Sequence, residues 1–402
     1  MSQSNPDSFV IKATLLLAST LTVMSGATIA PSLPAMQVQF AELENVEFWV
    51  RLVLTMPALF IVIGSPIAGQ LVDTLGRKPL LLGSAILYGL AGSSGFVLNS
   101  LFAILGGRAL LGLAVAGIMV SATTLIADYY KDEARANFMG LQAAFMGFGG
   151  VLFLSVGGFI ADLSWRLPFL IYLFSWLLLP TISLAIYEPP RATVNTSGSA
   201  TAAKVPMPIK LLVLIYGAVL LQQVAFYMIP VQLPFHLQQV ANVGASQTGL
   251  AIACATLFSA LASMRYGQVK RQLSFISILA IAFGLMGLGY VGLGLVSNYG
   301  LVLLILVPVG IGLGLMMPNL NVWVANEVPA AMRGRALGGL TTFMFLGQFL
   351  SPIAAQPFRQ SIGMAATYGL TGILLATLAG LIWIFKKQIC HAVSSTVGSV
   401  AP

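Results

Sequence analysis

Long apolar runs separated by short polar turns recur along the whole chain. Runs of spanning length cover approximately 12–32, 47–71, 79–98, 101–127, 137–161, 166–187, 209–231, 246–265, 274–296, 299–325, 337–358 and 363–385. A helix rises about 1.5 Å per residue, so about 20 apolar residues cross the roughly 30 Å of bilayer hydrocarbon. No run alternates polarity with the period of two that a membrane-barrel strand requires. Lipid offers the backbone no hydrogen-bond partner, so each run must be a helix that closes its own bonds. The pattern therefore predicts an all-α membrane protein of twelve transmembrane helices. The first run ends in the small residues "SGATIAP", as a cleaved leader does, but only Lys12 precedes it and the run is long. It is read as a retained span.

Composition agrees with this reading and charge gives it a direction. The 402 residues are 58% apolar and 7% charged, with a mean hydropathy of +0.94. A soluble domain carries about 25% charged residues. The net charge of +8 is a topology signal rather than a nucleic-acid footprint. With twelve spans, the side shared by both termini collects fifteen of the nineteen Lys and Arg residues, whereas Arg51, Arg166 and Arg359 fall opposite and Arg108 inside a span. Basic loops stay in the cytoplasm, so the expectation is a plasma (inner) membrane protein with both termini cytoplasmic. Cys254 and Cys390 lie far apart and form no disulfide or metal pattern. No Walker loop, metal-ligand cluster or Ser-His-Asp set is present at a plausible depth. The chain is thus expected to need no cofactor or metal, to act as a carrier rather than an enzyme or receptor, and to work as a monomer in the bilayer.

The stretch "EPPRATVNTSGSATAAKVPMP", residues 188–208, reads as a cytoplasmic linker. It divides the spans six and six, with helical bundles at 1–187 and 209–402. The two parts resemble each other at a near-constant offset. "GQLVD" at 69–73 faces "GQVKR" 198 residues on, "ADYYKDEARANFMG" at 127–140 faces "ANEVPAAMRGRALG" at the same offset, and "SLPA" at 32–35 faces "QLPF" at 200. Parallel duplication of a six-helix unit is a known transporter layout, with the substrate site between the halves near mid-membrane.

Between the second and third runs stands "GQLVDTLGRKP", three charges in a chain that has few. It resembles the cytoplasmic loop signature of the major facilitator superfamily, through Gly69, Leu71, Asp73, Gly76, Arg77 and Lys78, with Thr74 where a basic residue is usual. The resemblance implies the fold of two pseudo-symmetric six-helix bundles and transport by alternating access. It also implies a gate in which Gly69 lets two helices approach closely and Asp73 pairs with Arg77 or with a neighbouring helix start. "GGRALLGLAVAG" resembles the fourth-span motif of the same family through Arg108, Gly112 and Ala116. There the arginine is associated with proton coupling or with anionic substrate groups. "TIAPSLPAM" and "GIGLGLMMPNL" are similar to segments of its drug–proton antiporter branch. A small-molecule substrate, and protons as coupling ion, follow from that resemblance.

Two features depart from that branch. The fifth-span signature keeps the helix-bend glycines Gly149, Gly157 and Gly158 but has Phe153 and Leu154 in place of its central Gly-Pro. All eleven acidic residues fall in loops or at span ends, so no carboxylate is expected at mid-membrane. Arg108, about 12 Å inside its helix, is then the only deep charge. It must find water, polar neighbours or substrate. Neutral or anionic amphipathic substrates fit this better than cations. Export of such molecules is the expectation, with an uptake symporter or uniporter for an organic anion or metabolite as the alternative. Gln222, Gln223, Tyr227, Asn319 and Gln348 are candidates to line the cavity or to bond between helices.

Overall fold

The structure is a computed structural model and describes residues 8–189, 208–389 and 391. The linker expected over 188–208, apart from its ends, and Cys390 lie outside the described residues. Among those residues twelve helical segments are long and apolar enough to cross a membrane. The first is built from α1 (Phe9–Ala27), a 3-10 turn (Ala30–Ser32) and α2 (Leu33–Gln39). Four continuous helices follow: α3 (Val46–Thr74), α4 (Arg77–Val97), α5 (Leu101–Tyr129) and α6 (Asp132–Leu163). The sixth span comprises a 3-10 stretch (Leu167–Leu173), α7 (Phe174–Leu177) and α8 (Leu179–Ala185). The second six are α9 (Ile209–Ala241), α10 (Ala245–Gln272), α11 (Phe275–Leu295), α12 (Tyr299–Glu327), α13 (Ala330–Ile362) and α14 (Met364–Ile384).

Several helices outrun the apolar segments that predicted them. α9 continues ten residues past Val231, through Pro234, and α6 begins at Asp132 rather than near residue 137. Hydropathy measures the hydrocarbon depth only, whereas a helix persists into the polar layer until its caps end it.

The sixth span differs more from expectation, since only its last turns are α-helical. Pro168 and Pro180, near the starts of the 3-10 stretch and of α8, lack the N–H that a continuous α-helix would use. Three residues per turn bring Phe169 and Tyr172 onto one face, and the α4 glycines receive them at the same spacing. A Cβ on Gly95 would lie 2.2 Å from the Phe169 ring, and one on Gly92 would lie 2.4 Å from the Tyr172 Cβ. A side chain larger than hydrogen at either position would expel the aromatic residue.

The offset seen in sequence reappears in packing. A Cβ on Gly112 of α5 would lie 2.4 Å from the Pro57 carbonyl oxygen and 2.7 Å from the Phe60 Cβ. On Gly310 of α12, 198 residues later, it would lie 2.4 Å from the Ala255 oxygen and 3.0 Å from the Phe258 Cβ, both again 198 residues on. Buried tyrosine pairs repeat too. Tyr88 and Tyr172 stand 5.7 Å apart and donate to the Leu21 and Ser25 carbonyls. Tyr290 and Tyr368 stand 5.8 Å apart and donate to those of Ala225 and Met228. Each pair fastens its half's first helix to the third and sixth. Between the halves, α6 lies along α10 and α3 along α13.

Candidate functional site

Arg108 is 1% exposed, and its guanidinium is held on three sides. Nε donates to the Val53 carbonyl at 2.9 Å, one terminal nitrogen to the Tyr172 hydroxyl at 2.8 Å, and the other to the Ser25 carbonyl. The Tyr172 hydroxyl in turn donates to Ser25. These partners come from α1, α3 and the 3-10 stretch, all in the N-terminal half. The glutamines proposed from sequence are not among them. The sequence signal for this site was Arg108 alone, because backbone acceptors and a 3-10 tyrosine leave no motif. Next to Ser25, Gly26 carries the contact across the halves: its Cβ position is 3.0 Å from the Tyr227 hydroxyl of α9.

The remaining polar candidates divide. Gln222 and Gln223 are buried, and the carboxamide oxygen of each has no partner. Gln223 packs against Gly347 of α13, beside the buried Gln348. Asn319 instead bonds between helices, donating to the Phe275 carbonyl at 3.0 Å and accepting from Tyr266 at 3.3 Å. His236 contacts the Leu293 carbonyl at 3.2 Å and the Tyr368 ring. Gly149, Gly157 and Gly158 sit within the unbroken α6 and serve close approach. A Cβ on Gly157 would lie 2.3 Å from the Thr28 oxygen, one on Gly158 2.8 Å from the Ala245 oxygen, and one on Gly149 3.2 Å from Thr20.

The loop between α3 and α4 is wired differently from the sequence expectation. Arg77 pairs with Asp128 at the end of α5, with Nε 3.0 Å from the carboxylate. The first backbone N–H groups of α4, at Arg77 and Lys78, donate to the Glu188 carboxylate at 2.8 Å each. Lys78 Nζ donates to the Ser183 carbonyl. Gly76 is required here, with φ of 104° and a Cβ position 2.7 Å from the Glu188 carboxylate. Asp73 is exposed and makes neither of the pairings expected of it. Gly69 has nothing within 4 Å of its Cβ position, so it mediates no close helix approach in this state.

Among the described residues, the polar bonds that join the halves cluster at the opposite end of the bundle, away from the termini. Arg51, 4% exposed, donates Nε to Gln232 of α9 at 2.7 Å, and its guanidinium lies 4.1 Å over the Phe235 ring. Glu47 is ion-paired with Arg359 of α13. Its carboxylate is also 3.8 Å from Arg51. Asp162, at the end of α6, caps the N-terminus of α10 by accepting from the Ala245 and Ser246 N–H groups at 2.8 and 3.1 Å. Gly158 and Gly249 interlock beside it. Sequence reasoning left Arg51 and Arg359 as far-side loop charges and missed this cluster, although Arg51 within an apolar run was a visible anomaly.

Comparison with known proteins places this geometry. Residues 15–352, and in a second match 216–394, fit the family described as Major Facilitator Superfamily. The quinolone resistance protein NorA of Staphylococcus aureus is 24% identical over 82% of this chain and 85% of its own length. The class E tetracycline resistance protein of Escherichia coli is 32% identical over 37% of each chain. A bacterial homolog of the human lysosomal transporter Spinster, solved inward-facing and occupied, has the same fold. It superposes with a TM-score of 0.75 at 17% identity over 98% of both chains.

Proposed function

We propose, from the premise that this chain belongs to the major facilitator superfamily, that it exports small amphipathic molecules from the cytoplasm in exchange for protons. The observation that carries the reading is the one-sided seal between the halves. Glu47–Arg359, Arg51–Gln232 and the Asp162 cap on α10 close the far end, whereas Asp73 stands exposed at the end bearing the termini. The basic loops put that end in the cytoplasm, so this is the state that loads substrate from inside. Two relatives named for resistance to quinolones and tetracycline support export of amphipathic compounds. Arg108 is turned onto acceptors of its own half, so it offers little to an anion in this state. Uncharged substrates fit better. The chemistry required is binding and alternating exposure, for which a bistable interface suffices.

The test is transport by purified protein in proteoliposomes with an imposed pH gradient and a panel of matched neutral, anionic and cationic fluorescent amphipaths. Gradient-driven accumulation of neutral members, abolished when the gradient is collapsed, is the expected result. Movement of no compound above empty liposomes overturns the reading.

A further inference from the structure

A cavity of about 360 Å³ opens between the halves where α3, α5 and α13 meet. Its polar lining is hydroxyl: Ser65, Thr123, Thr124, Thr341 and Thr342. Val62, Met119 and Phe345 supply much of the apolar remainder, and no charged residue takes part. Ser65 lies nine residues from the end of α3, Thr124 five from the end of α5 and Thr341 eleven from the start of α13. At about 1.5 Å per residue the cavity sits roughly 8–17 Å inside the bundle from the termini end, on the open side of the seal.

The direction of the hydroxyl protons decides what the cavity can hold. Ser65 donates to the Ile61 carbonyl at 2.6 Å, Thr124 to Val120 at 2.8 Å, Thr341 to Leu337 at 3.1 Å and Thr342 to Gly338 at 3.0 Å. Each proton is thus given to the preceding turn of its own helix. A hydroxyl has one donor and two acceptor lone pairs, so these four present only lone pairs to an occupant. Thr123 alone of the five keeps a proton to offer. A carboxylate would meet one hydroxyl proton, the lone pairs of four other hydroxyls and no cation, whereas a desolvated ammonium would meet no counter-charge. An uncharged N–H or O–H donor is satisfied.

We propose that this cavity is the loading site for the transported molecule and selects uncharged amphipathic compounds bearing N–H or O–H donors, such as phenols, anilines and primary amides. The inference rests on the transporter reading and adds the substrate class and five residues to it. Because the lining spans both halves, closing the cytoplasmic side must reshape the cavity and pass its occupant on.

The experiment uses full-length protein in nanodiscs and equilibrium binding of 2-naphthol and its methyl ether, which keeps the frame and the acceptor but loses the donor. Empty nanodiscs correct for partitioning. Wild type should bind the naphthol about 2- to 10-fold more tightly, the span of one neutral hydrogen bond. Thr124→Val combined with Thr341→Val keeps shape and removes lone pairs from each half. It should lower naphthol affinity to that of the ether and leave the ether unchanged. Thr371→Val, bonded within the C-terminal half away from the cavity, should change neither. Equal binding by wild type, or a preference that survives the double substitution, overturns the site. Should the double variant fail to fold, Thr341→Val alone reads the same ratio. The gradient-driven panel separates the two claims. An intact transporter with an unaltered naphthol preference refutes the cavity only; the expected binding pattern with no compound moved refutes transport only.

Discussion

Replacing Glu47 by glutamine removes the one carboxylate that faces both Arg359 and Arg51 at the far end. The Glu47 side chain is 43% exposed and that of Arg359 13%. A fully exposed ion pair is worth up to about 1 kcal/mol, and stranding one partner of a buried pair costs about 3–5 kcal/mol. A pair with one half-exposed partner falls between, so about 1–2 kcal/mol of the seal should be lost, roughly a 5- to 30-fold shift toward the far-end-open state. Met364 lines a far-end cavity together with Glu47, Arg51 and Arg359 and is 9% exposed, so it reports opening. In a background with Cys254 and Cys390 replaced by alanine, Met364→Cys should react slowly with an impermeant maleimide applied from the far side. Adding Glu47→Gln should raise that rate by the same 5- to 30-fold, and Glu47→Asp by less. An unchanged or slower rate in a protein of normal melting temperature would refute the latch.

Arg108→Ala should abolish transport and lower stability, because the Ser25 and Val53 carbonyls lose a buried donor; Arg108→Lys should rescue poorly, since an ammonium cannot span three acceptors as the planar fork does. Transport at wild-type rate by Arg108→Lys in the proteoliposome assay would count against this. Asp73→Asn should impair transport yet leave melting of this state within about a degree, because Asp73 forms no ion pair among the described residues; turnover equal to wild type would remove its gate role. Cysteines placed in the 188–208 linker should label only from the cytoplasmic side, and labelling of intact cells by an impermeant reagent would reverse the topology.

Hydropathy made the twelve spans legible because a helix in lipid must carry its apolar surface along its whole length. The duplication was legible in the 198-residue offset between residues 69–73 and 127–140 and their later counterparts, and the neighbours of Gly112 and Gly310 repeat that offset in the structure. The depth of Arg108 could be read as well. Its partners could not, since two are backbone carbonyls and the third, Tyr172, depends on a 3-10 stretch set by Pro168 and the α4 glycines. The Arg77–Asp128 pair and the Glu188 cap on α4 join residues 51 and about 110 positions apart, a distance over which sequence gives no register. Glu47 and Arg359 are 312 positions apart. The expected Asp73 pairing followed from neighbourhood in sequence, and longer-range partners took its place.

In alternating access, one rocking motion opens one end of the bundle as it closes the other. Spin-label distances in nanodiscs read both ends at once, with one pair at Glu44 and Gln239 across the far end and another at Leu75 and Arg335 across the termini end. Without substrate the far-end pair should be short and narrowly distributed, and the termini-end pair long. Under a pH gradient with a transported compound, a population should appear in which the first lengthens as the second shortens. Distances that never change, or that lengthen together, would contradict alternating access by this protein.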